Sequence, residues 1–144
     1  MAAWIVYESV HGNTEKVAQA IGKSLAGKAK VLRAAEADPA QMAGVSLLIV
    51  GSPTYGGRPV PAIQGLLAKI PASGLKSIRV AAFDTRVTAK FAKIFGYAAD
   101  KILAILVRNG GIQAKGPEGF YVKGSKGPLA DGEAERAAVW AKGL

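Results

Sequence analysis

The chain has 144 residues, half of them hydrophobic, a length that suits one domain large enough to bury a hydrophobic core. A charged fraction of 20% excludes the disordered and fibrous classes of protein. With no cysteine and one histidine, His11, disulfides, thiolate catalysis and cysteine- or histidine-rich metal sites are excluded, whereas a formal net charge of +9 predicts anionic partners.

The first half of the chain predicts three strands and one helix. Nearly continuous apolar runs at residues 4–7 and 45–50 are typical of strands buried on both faces of a parallel sheet. After the first run, apolar residues recur at helical spacing: Val17, Ala18, Ile21 and Leu25. Gly27 marks the expected end of this helix, and the apolar pair at 31–32 predicts an edge strand.

The second half continues the alternation with a buried strand at 78–83 and a last strand at 120–122. Helical spacing recurs in three groups: Ile63, Leu66, Leu67 and Ile70 before Pro71; Tyr97, Ile102 and Leu106 before Asn109-Gly110-Gly111; and Ala134, Ala137, Ala138 and Ala141, in a helix starting near 128–131. Pro117 and Gly119 indicate a break or bulge in the last strand region.

Strand and helix patterns thus alternate about five times, which predicts an α/β fold with three layers and a doubly wound, five-stranded parallel sheet. No linker or internal repeat divides the sequence, so we expect a single domain over residues 1–144. No apolar run reaches the ~20 residues of a membrane span. The N-terminal stretch has no basic flank, so we expect no cleaved targeting segment. The absence of cysteine fits a cytoplasmic protein, which we therefore expect.

The loop Ser9-Val10-His11-Gly12-Asn13-Thr14 joins the first strand to the first helix, where open α/β sheets bind ligands. Successive backbone amides and the helix N-terminus would form an anion site there, and Gly12 lets the backbone come close. Ser9, Asn13 and Thr14 add neutral donors. The loop has neither the lysine of a nucleotide-triphosphate loop nor the glycine pattern of a dinucleotide site. It therefore predicts a phosphate monoester site, with helix capping by Asn13 or Thr14 alone as the alternative.

This loop resembles the phosphate loop of the flavodoxins, whose pattern is [ST]-x-[TH]-G-[NT]-T. Gly51-Ser52-Pro53-Thr54-Tyr55-Gly56-Gly57 follows the third strand, where flavodoxins carry their first isoalloxazine loop. Phe83-Asp84-Thr85-Arg86 follows the fourth strand, where their second flavin loop begins. The resemblance spans the whole chain, corresponds to the short-chain form and implies the strand order 2-1-3-4-5.

The resemblance implies FMN as cofactor, held by residues of these three loops: Ser9, Val10, His11, Gly12, Asn13, Thr14, Pro53, Thr54, Tyr55, Gly56, Gly57, Phe83, Asp84, Thr85 and Arg86. Tyr55 would stack on the flavin ring and Gly56-Gly57 would offer a backbone group to flavin N5, unless Tyr55 is an ordinary turn aromatic. His11 would contact the phosphate or pack beneath it, with acid–base catalysis as the alternative.

Asp84 and Arg86 leave more alternatives open. Asp84 would order the second flavin loop or accept a hydrogen bond from the ring or the ribityl chain. Arg86 departs from the family, in which an aromatic residue often stacks on the outer face of the ring near this point. Either its guanidinium covers the ring, or that face stays open, or Arg86 is solvated.

For function, the resemblance implies an electron carrier that passes electrons between redox partner proteins. The alternative is an FMN-dependent oxidoreductase of the same fold, of the quinone reductase or protoporphyrinogen oxidase type. An interaction module that has lost its flavin is a third interpretation, which the intact phosphate loop disfavours. The sequence shows no acid–base pair and no long inserted loop, which favours the carrier.

The positive charge is concentrated in residues 58–126, which hold twelve basic and three acidic residues. Carriers of this family are usually acidic, so this excess predicts partners with acidic docking faces. A solvated surface is the alternative. Nucleic acid is disfavoured because no aromatic strip interleaves the basic residues. Arg58 and Arg86 flank the two predicted ring loops, where their charge would raise the reduction potential of bound FMN.

Overall fold

A computed structural model describes residues 2–25, 27, 29–87 and 96–144. Its strands are β1 (Ala2–Tyr7), β2 (Ala29–Arg33), β3 (Val45–Pro53), β4 (Arg79–Val87), β5 (Ile112–Gln113) and β6 (Glu118–Val122). Its α-helices are α1 (Asn13–Ser24), α2 (Pro61–Ala68), α3 (Ala98–Arg108) and α4 (Glu133–Lys142). No helix in the described ranges is long and apolar enough to cross a membrane.

The sheet is parallel, with the order β2-β1-β3-β4-β5. β6 also pairs with β4, so β5 and β6 occupy the same edge position one after the other. β5 pairs with the start of β4 and β6 with its end, from Phe83 to Val87. The predicted strand order is confirmed, as is the predicted break, because residues 114–117, including Pro117, separate the two segments.

Two hydrophobic clusters lie on opposite faces of the sheet and form the three-layer architecture. One face packs against α2 and α3, with Ile63, Ile102 and Leu106 fully buried. The other packs against α1 and α4, with Ile21 and Ala137 fully buried. Burial on both faces explains why the central strands read as continuous apolar runs.

The connection from β2 to β3 differs from the predicted alternation of strands and helices. It holds two short 3₁₀ turns, Ala34–Glu36 and Pro39–Gln41, in place of an α-helix. The Asp38 carboxylate accepts a hydrogen bond from the Ala40 amide at 2.9 Å. Pro39 takes the first position of the second turn, where its fixed φ is suitable and its missing N–H is not needed. Residues 34–44 therefore join β2 to β3 without an α-helix.

Helix ends also differ slightly from the predictions. Tyr97, which we placed on a helix, is the extended residue that precedes α3. The second helix ends at Ala68, before Ile70, although Ile70 is buried in the same cluster as predicted. The other predicted strands and helices lie where the sequence placed them, within a few residues.

Candidate functional site

A cleft lies beyond the carboxyl ends of β1, β3, β4 and β6. Thirteen residues line it: Ser9, Val10, His11, Asn13, Thr14, Pro53, Thr54, Tyr55, Thr85, Arg86, Val87, Val122 and Ser125. The three loops predicted from the sequence therefore meet at one edge of the sheet, as parallel strands require.

The N-terminus of α1 opens toward this cleft. Gly12 precedes the helix with φ of 89°, a left-handed conformation that disfavours side chains, and no side chain caps the helix. The Gly12 amide donates a hydrogen bond to Ser9 Oγ at 3.0 Å. The first amides of α1 have no partner within their own helix, which leaves a positive partial charge at the cleft. The structure therefore disfavours the alternative that Asn13 or Thr14 merely caps this helix.

Two side-chain contacts tie α1 to the opposite wall of the cleft. The hydroxyls of Thr14 and Thr85 are 2.8 Å apart, and both residues are buried. Since one hydroxyl donates to the other, the second keeps its proton for another acceptor. Asn13 Nδ2 donates to the carbonyl of Lys126 at 3.4 Å, which joins α1 to the loop after β6.

The loop after β3 ends in a tight turn from Tyr55 to Arg58. The two residues exchange backbone hydrogen bonds of 2.9 and 3.0 Å, and Gly56 and Gly57 both have positive φ, at 59° and 76°. This is the type I′ arrangement, which favours the glycine pair. The turn holds Tyr55 45% exposed at the lip of the cleft, and its ring contacts no other aromatic ring in the described residues.

Arg86 is held against its neighbours. Its Nε and Nη2 each lie 2.7 Å from an oxygen of Asp84, and its guanidinium carbon lies 3.5 Å from the centroid of the Tyr97 ring. On another side it packs on Gly119, where a Cβ atom would lie 2.1 Å from Arg86 Nε. Its side chain is 14% exposed, so the solvated interpretation of Arg86 is wrong.

Asp84 is fully buried, and its carboxylate accepts hydrogen bonds from Arg86 and Ala99. Burial raises the pKa of its carboxyl, while the paired guanidinium of Arg86 and the amide of Ala99 at 2.9 Å act in the opposite direction. Both carboxylate oxygens accept hydrogen bonds from these donors. Asp84 therefore anchors the end of β4 to the N-terminus of α3.

Ten of the fifteen predicted site residues line the cleft, and five do not: Gly12, Gly56, Gly57, Phe83 and Asp84. Phe83 packs edge-to-face on Phe120 and Trp140, on the face of the sheet that α4 covers. It lies two residues before Thr85 in β4, further from the carboxyl end of the strand. The buried side chains of Phe83 and Asp84 are therefore directed away from the cleft, and any contact they make with a cofactor would come from their backbone atoms.

Comparison with known proteins identifies the family of this chain. The family model described as the flavodoxin domain matches residues 4–108, well over half of the chain. The chain belongs to the flavodoxin family. A comparison with curated protein sequences gave no significant match.

Solved structures similar to this flavodoxin-family chain share its fold. Oxidised flavodoxin 2 from Bacillus cereus superposes with a TM-score of 0.82 at 22% identity, covering 99% of this chain and 97% of the other. A flavodoxin from Streptococcus pneumoniae gives 0.79 at 19% identity, covering 100% and 97%. The rubredoxin:oxygen oxidoreductase of Desulfovibrio gigas gives 0.75 at 23%, covering 99% of this chain but 35% of that protein.

Membership of the flavodoxin family implies a flavin cofactor, and the cleft has the chemistry to hold one. The uncapped N-terminus of α1 supplies amide donors for an anion, and the Thr14–Thr85 pair supplies a neutral hydroxyl donor. Val10 and Tyr55 are 54% and 45% exposed at the cleft, an apolar lining for an aromatic ring system. Within the described ranges, no cluster of three potential metal ligands occurs.

Sequence reasoning missed Val87, Val122 and Ser125, which also line the cleft. The last two belong to the carboxyl end of β6 and the segment Lys123-Gly124-Ser125-Lys126-Gly127 that follows it. The rule that ligands bind beyond strand ends applies equally to this glycine-rich segment. It was overlooked because only the first three loops matched the flavodoxin pattern.

Proposed function

We propose that this protein binds FMN in the cleft and transfers electrons between redox partner proteins. The observation that carries the proposal is the uncapped N-terminus of α1 facing the same cleft as the exposed ring of Tyr55. FMN supplies the redox chemistry, and the protein supplies binding, orientation and electrostatic tuning.

Each group of cleft residues has a role in this proposal. The first amides of α1, with Ser9, Asn13 and Thr14, hold the phosphate through neutral donors, since no lysine or arginine of the described residues lines that part of the cleft. Tyr55 provides an aromatic face for the ring system. Thr85 fixes the orientation of Thr14 by the hydroxyl pair.

The cleft chemistry supports the carrier over the oxidoreductase. An acid–base enzyme needs a titratable group free to exchange protons with a substrate. Asp84 has both oxygens engaged by Arg86 and Ala99, and the described residues that line the cleft include no carboxylate that could act as a pair with His11. The net charge of +9 favours the alternative, an FMN-dependent oxidoreductase of the quinone reductase or protoporphyrinogen oxidase type, because carriers of this family are usually acidic.

The purified protein tests the proposal directly. It should be yellow and release FMN on denaturation, and it should turn over slowly with NAD(P)H in stopped-flow experiments unless a separate reductase is added. Rapid steady-state oxidation of NAD(P)H with a quinone and no reductase would instead establish the oxidoreductase. An apoprotein that binds neither FMN nor riboflavin would contradict both functions.

A further inference from the structure

A second concave surface lies between α2 and α3, outside the cofactor cleft. This groove, of about 650 Å³, is lined by Arg58, Pro59, Gln64, Leu67, Ala68, Lys101, Ile105 and Arg108. Among the described residues, none lines both the groove and the cleft. We term it the α2–α3 groove.

The helical spacing of the lining residues explains the shape of the groove. Lys101, Ile105 and Arg108 are separated by four and three positions, so they share one face of α3. Gln64, Leu67 and Ala68 share one face of α2 by the same spacing. Leu67 is buried and Ile105 partly buried, so the floor between the two helices is apolar.

The groove is basic, and the described residues that line it include no acidic one. Lys101 donates to the carbonyl of Gly57, which brings it beside the turn that carries Arg58. Arg108 lies seven residues further along α3, roughly 10 Å along the helix axis. Cations thus stand at both ends of an apolar floor.

These arginines differ from several others in the protein. Arg33, Arg86 and Arg136 each pair with a carboxylate, at 2.6 or 2.7 Å. Arg58 and Arg108 form no ion pair within the described residues, and both are exposed. The charges of Arg58 and Arg108 are therefore not neutralised by carboxylates of the described residues, and they remain available to an anionic partner.

We propose that the α2–α3 groove docks an acidic amphipathic helix of a redox partner protein. Carboxylates about seven residues apart on such a helix would match the roughly 10 Å between Arg108 and the Lys101 end of the groove, where Arg58 lies, and apolar side chains between them would cover Leu67 and Ile105. The inference rests on the proposed function. The Tyr55–Arg58 turn joins the two surfaces, because Tyr55 lines the cleft and Arg58 lines the groove.

The probe is a fluorescein-labelled helical peptide with glutamates at positions i and i+7 and leucines at i+3 and i+4, measured by fluorescence anisotropy with holoprotein. The double variant Arg58→Gln/Arg108→Gln should bind it about three- to tenfold more weakly than the wild type. Lys30→Gln/Lys142→Gln, which alters two exposed lysines away from the groove, lowers the net charge equally and should bind it nearly as the wild type does.

A second pair of variants adds a carboxylate without removing any cation. Ala68→Glu places the charge in the groove, whereas Ala104→Glu places it on another exposed face of α3. Ala68→Glu should abolish most of the peptide binding and Ala104→Glu should leave it nearly unchanged. Equal losses within either pair would show general attraction to a basic protein and would overturn the proposal.

Two further measurements separate the possible failures. The affinity of the groove variants for oxidised FMN should be close to that of the wild type, since none of the substituted residues lines the cleft. If the wild type binds no FMN, the proposed function fails even where the peptide result stands. If the groove variants lose a labelled single-stranded oligonucleotide more than the peptide, the groove binds nucleic acid and the docking proposal is wrong.

Discussion

Arg86 and Asp84 form a bidentate ion pair at the end of β4, with both nitrogen–oxygen distances at 2.7 Å. Because the two residues are separated by one position in a strand, they lie on the same face of the sheet. The Tyr97 ring covers the guanidinium, and Asp84 is fully buried. The pair therefore acts as a structural brace between β4 and α3, and its two charges largely cancel each other.

Arg86→Gln should destabilise the fold by about 3–5 kcal/mol, because it leaves the Asp84 carboxylate buried and unpaired. The double variant Asp84→Asn/Arg86→Gln should recover more than half of that loss. Arg33→Gln, which breaks a pair whose arginine is 40% exposed, should cost about 1 kcal/mol or less. Urea unfolding followed by far-UV circular dichroism measures all three. A loss for Arg86→Gln no larger than that for Arg33→Gln would contradict the brace.

The brace could not be predicted from the sequence, although the strands that position it could. Continuous apolar runs located β1, β3 and β4, because a strand buried on both faces leaves a local pattern in the sequence. The contacts of Arg86 come instead from Tyr97 and Gly119, which lie 11 and 33 positions further along the chain. Periodicity carries no information about such distant contacts.

The candidate cleft was predicted where a motif existed and missed where none did. The loop after β1 matched a known pattern, whereas Ser125 is a small residue in a loop with no family pattern to identify it. Phe83 was included as part of a four-residue segment, but the alternation of β4 places its side chain in the core. The motif therefore predicted the right segment of the chain, but not which of its side chains face the cleft.

Thr14→Val should weaken FMN binding by about 1–3 kcal/mol and leave riboflavin binding nearly unchanged, because only the phosphate loses a donor. Valine keeps the side-chain volume, so the effect reports the hydroxyl that now lies 2.8 Å from Thr85. Fluorescence-quenching titration of the apoprotein measures both affinities. Ser46→Ala, a change at the opposite end of the sheet, is the control. Equal affinity of the wild type for the two flavins would exclude a phosphate site in this loop.

Tyr55→Ala should loosen the bound flavin and restore part of the fluorescence that a stacked aromatic ring quenches. Tyr55→Phe keeps the ring and should remain as dark and as tightly bound as the wild type. Tyr55 lies in an exposed turn, so we expect little change in stability from either substitution. Steady-state fluorescence of the holoproteins is the readout. If the alanine variant is also dark and tightly bound, another residue covers the ring.

Glu133 should make stability depend on pH in the acid range. Hydrogen bonds from Arg136 hold the pKa of its carboxyl below the ordinary value, and the Tyr121 amide, 2.8 Å away, acts in the same direction. A lowered pKa in the folded state gives stability that is present above the unfolded pKa and lost as pH falls through the folded value.

Glu133→Gln should therefore lower the free energy of unfolding by about 1–3 kcal/mol near neutral pH, and the difference from the wild type should shrink as pH falls below about 4. Glu135→Gln, two positions away and exposed, should leave the profile unchanged. Urea unfolding at a series of pH values between 3 and 7 tests this. A difference that stays constant over that range would mean that the charge of Glu133 does not contribute.

Arg58 should raise the reduction potential of bound FMN, and Arg86 should contribute little, although the sequence predicted an effect from both. Reduction adds negative charge to the flavin, which a nearby uncompensated cation favours. Arg58 has no ion pair within the described residues and lies on the turn next to Tyr55, whereas the charge of Arg86 is offset by Asp84 at 2.7 Å. Arg58→Gln should therefore lower the midpoint potential by on the order of tens of millivolts, and by less at high salt, since exposed charges are screened.

Asp84→Asn/Arg86→Gln should leave the potential close to that of the wild type, because it removes one charge of each sign. Spectroelectrochemical titration at low and high salt measures these shifts. An equal shift for both variants, or none for Arg58→Gln, would show that charge pairing at the cleft does not tune the potential.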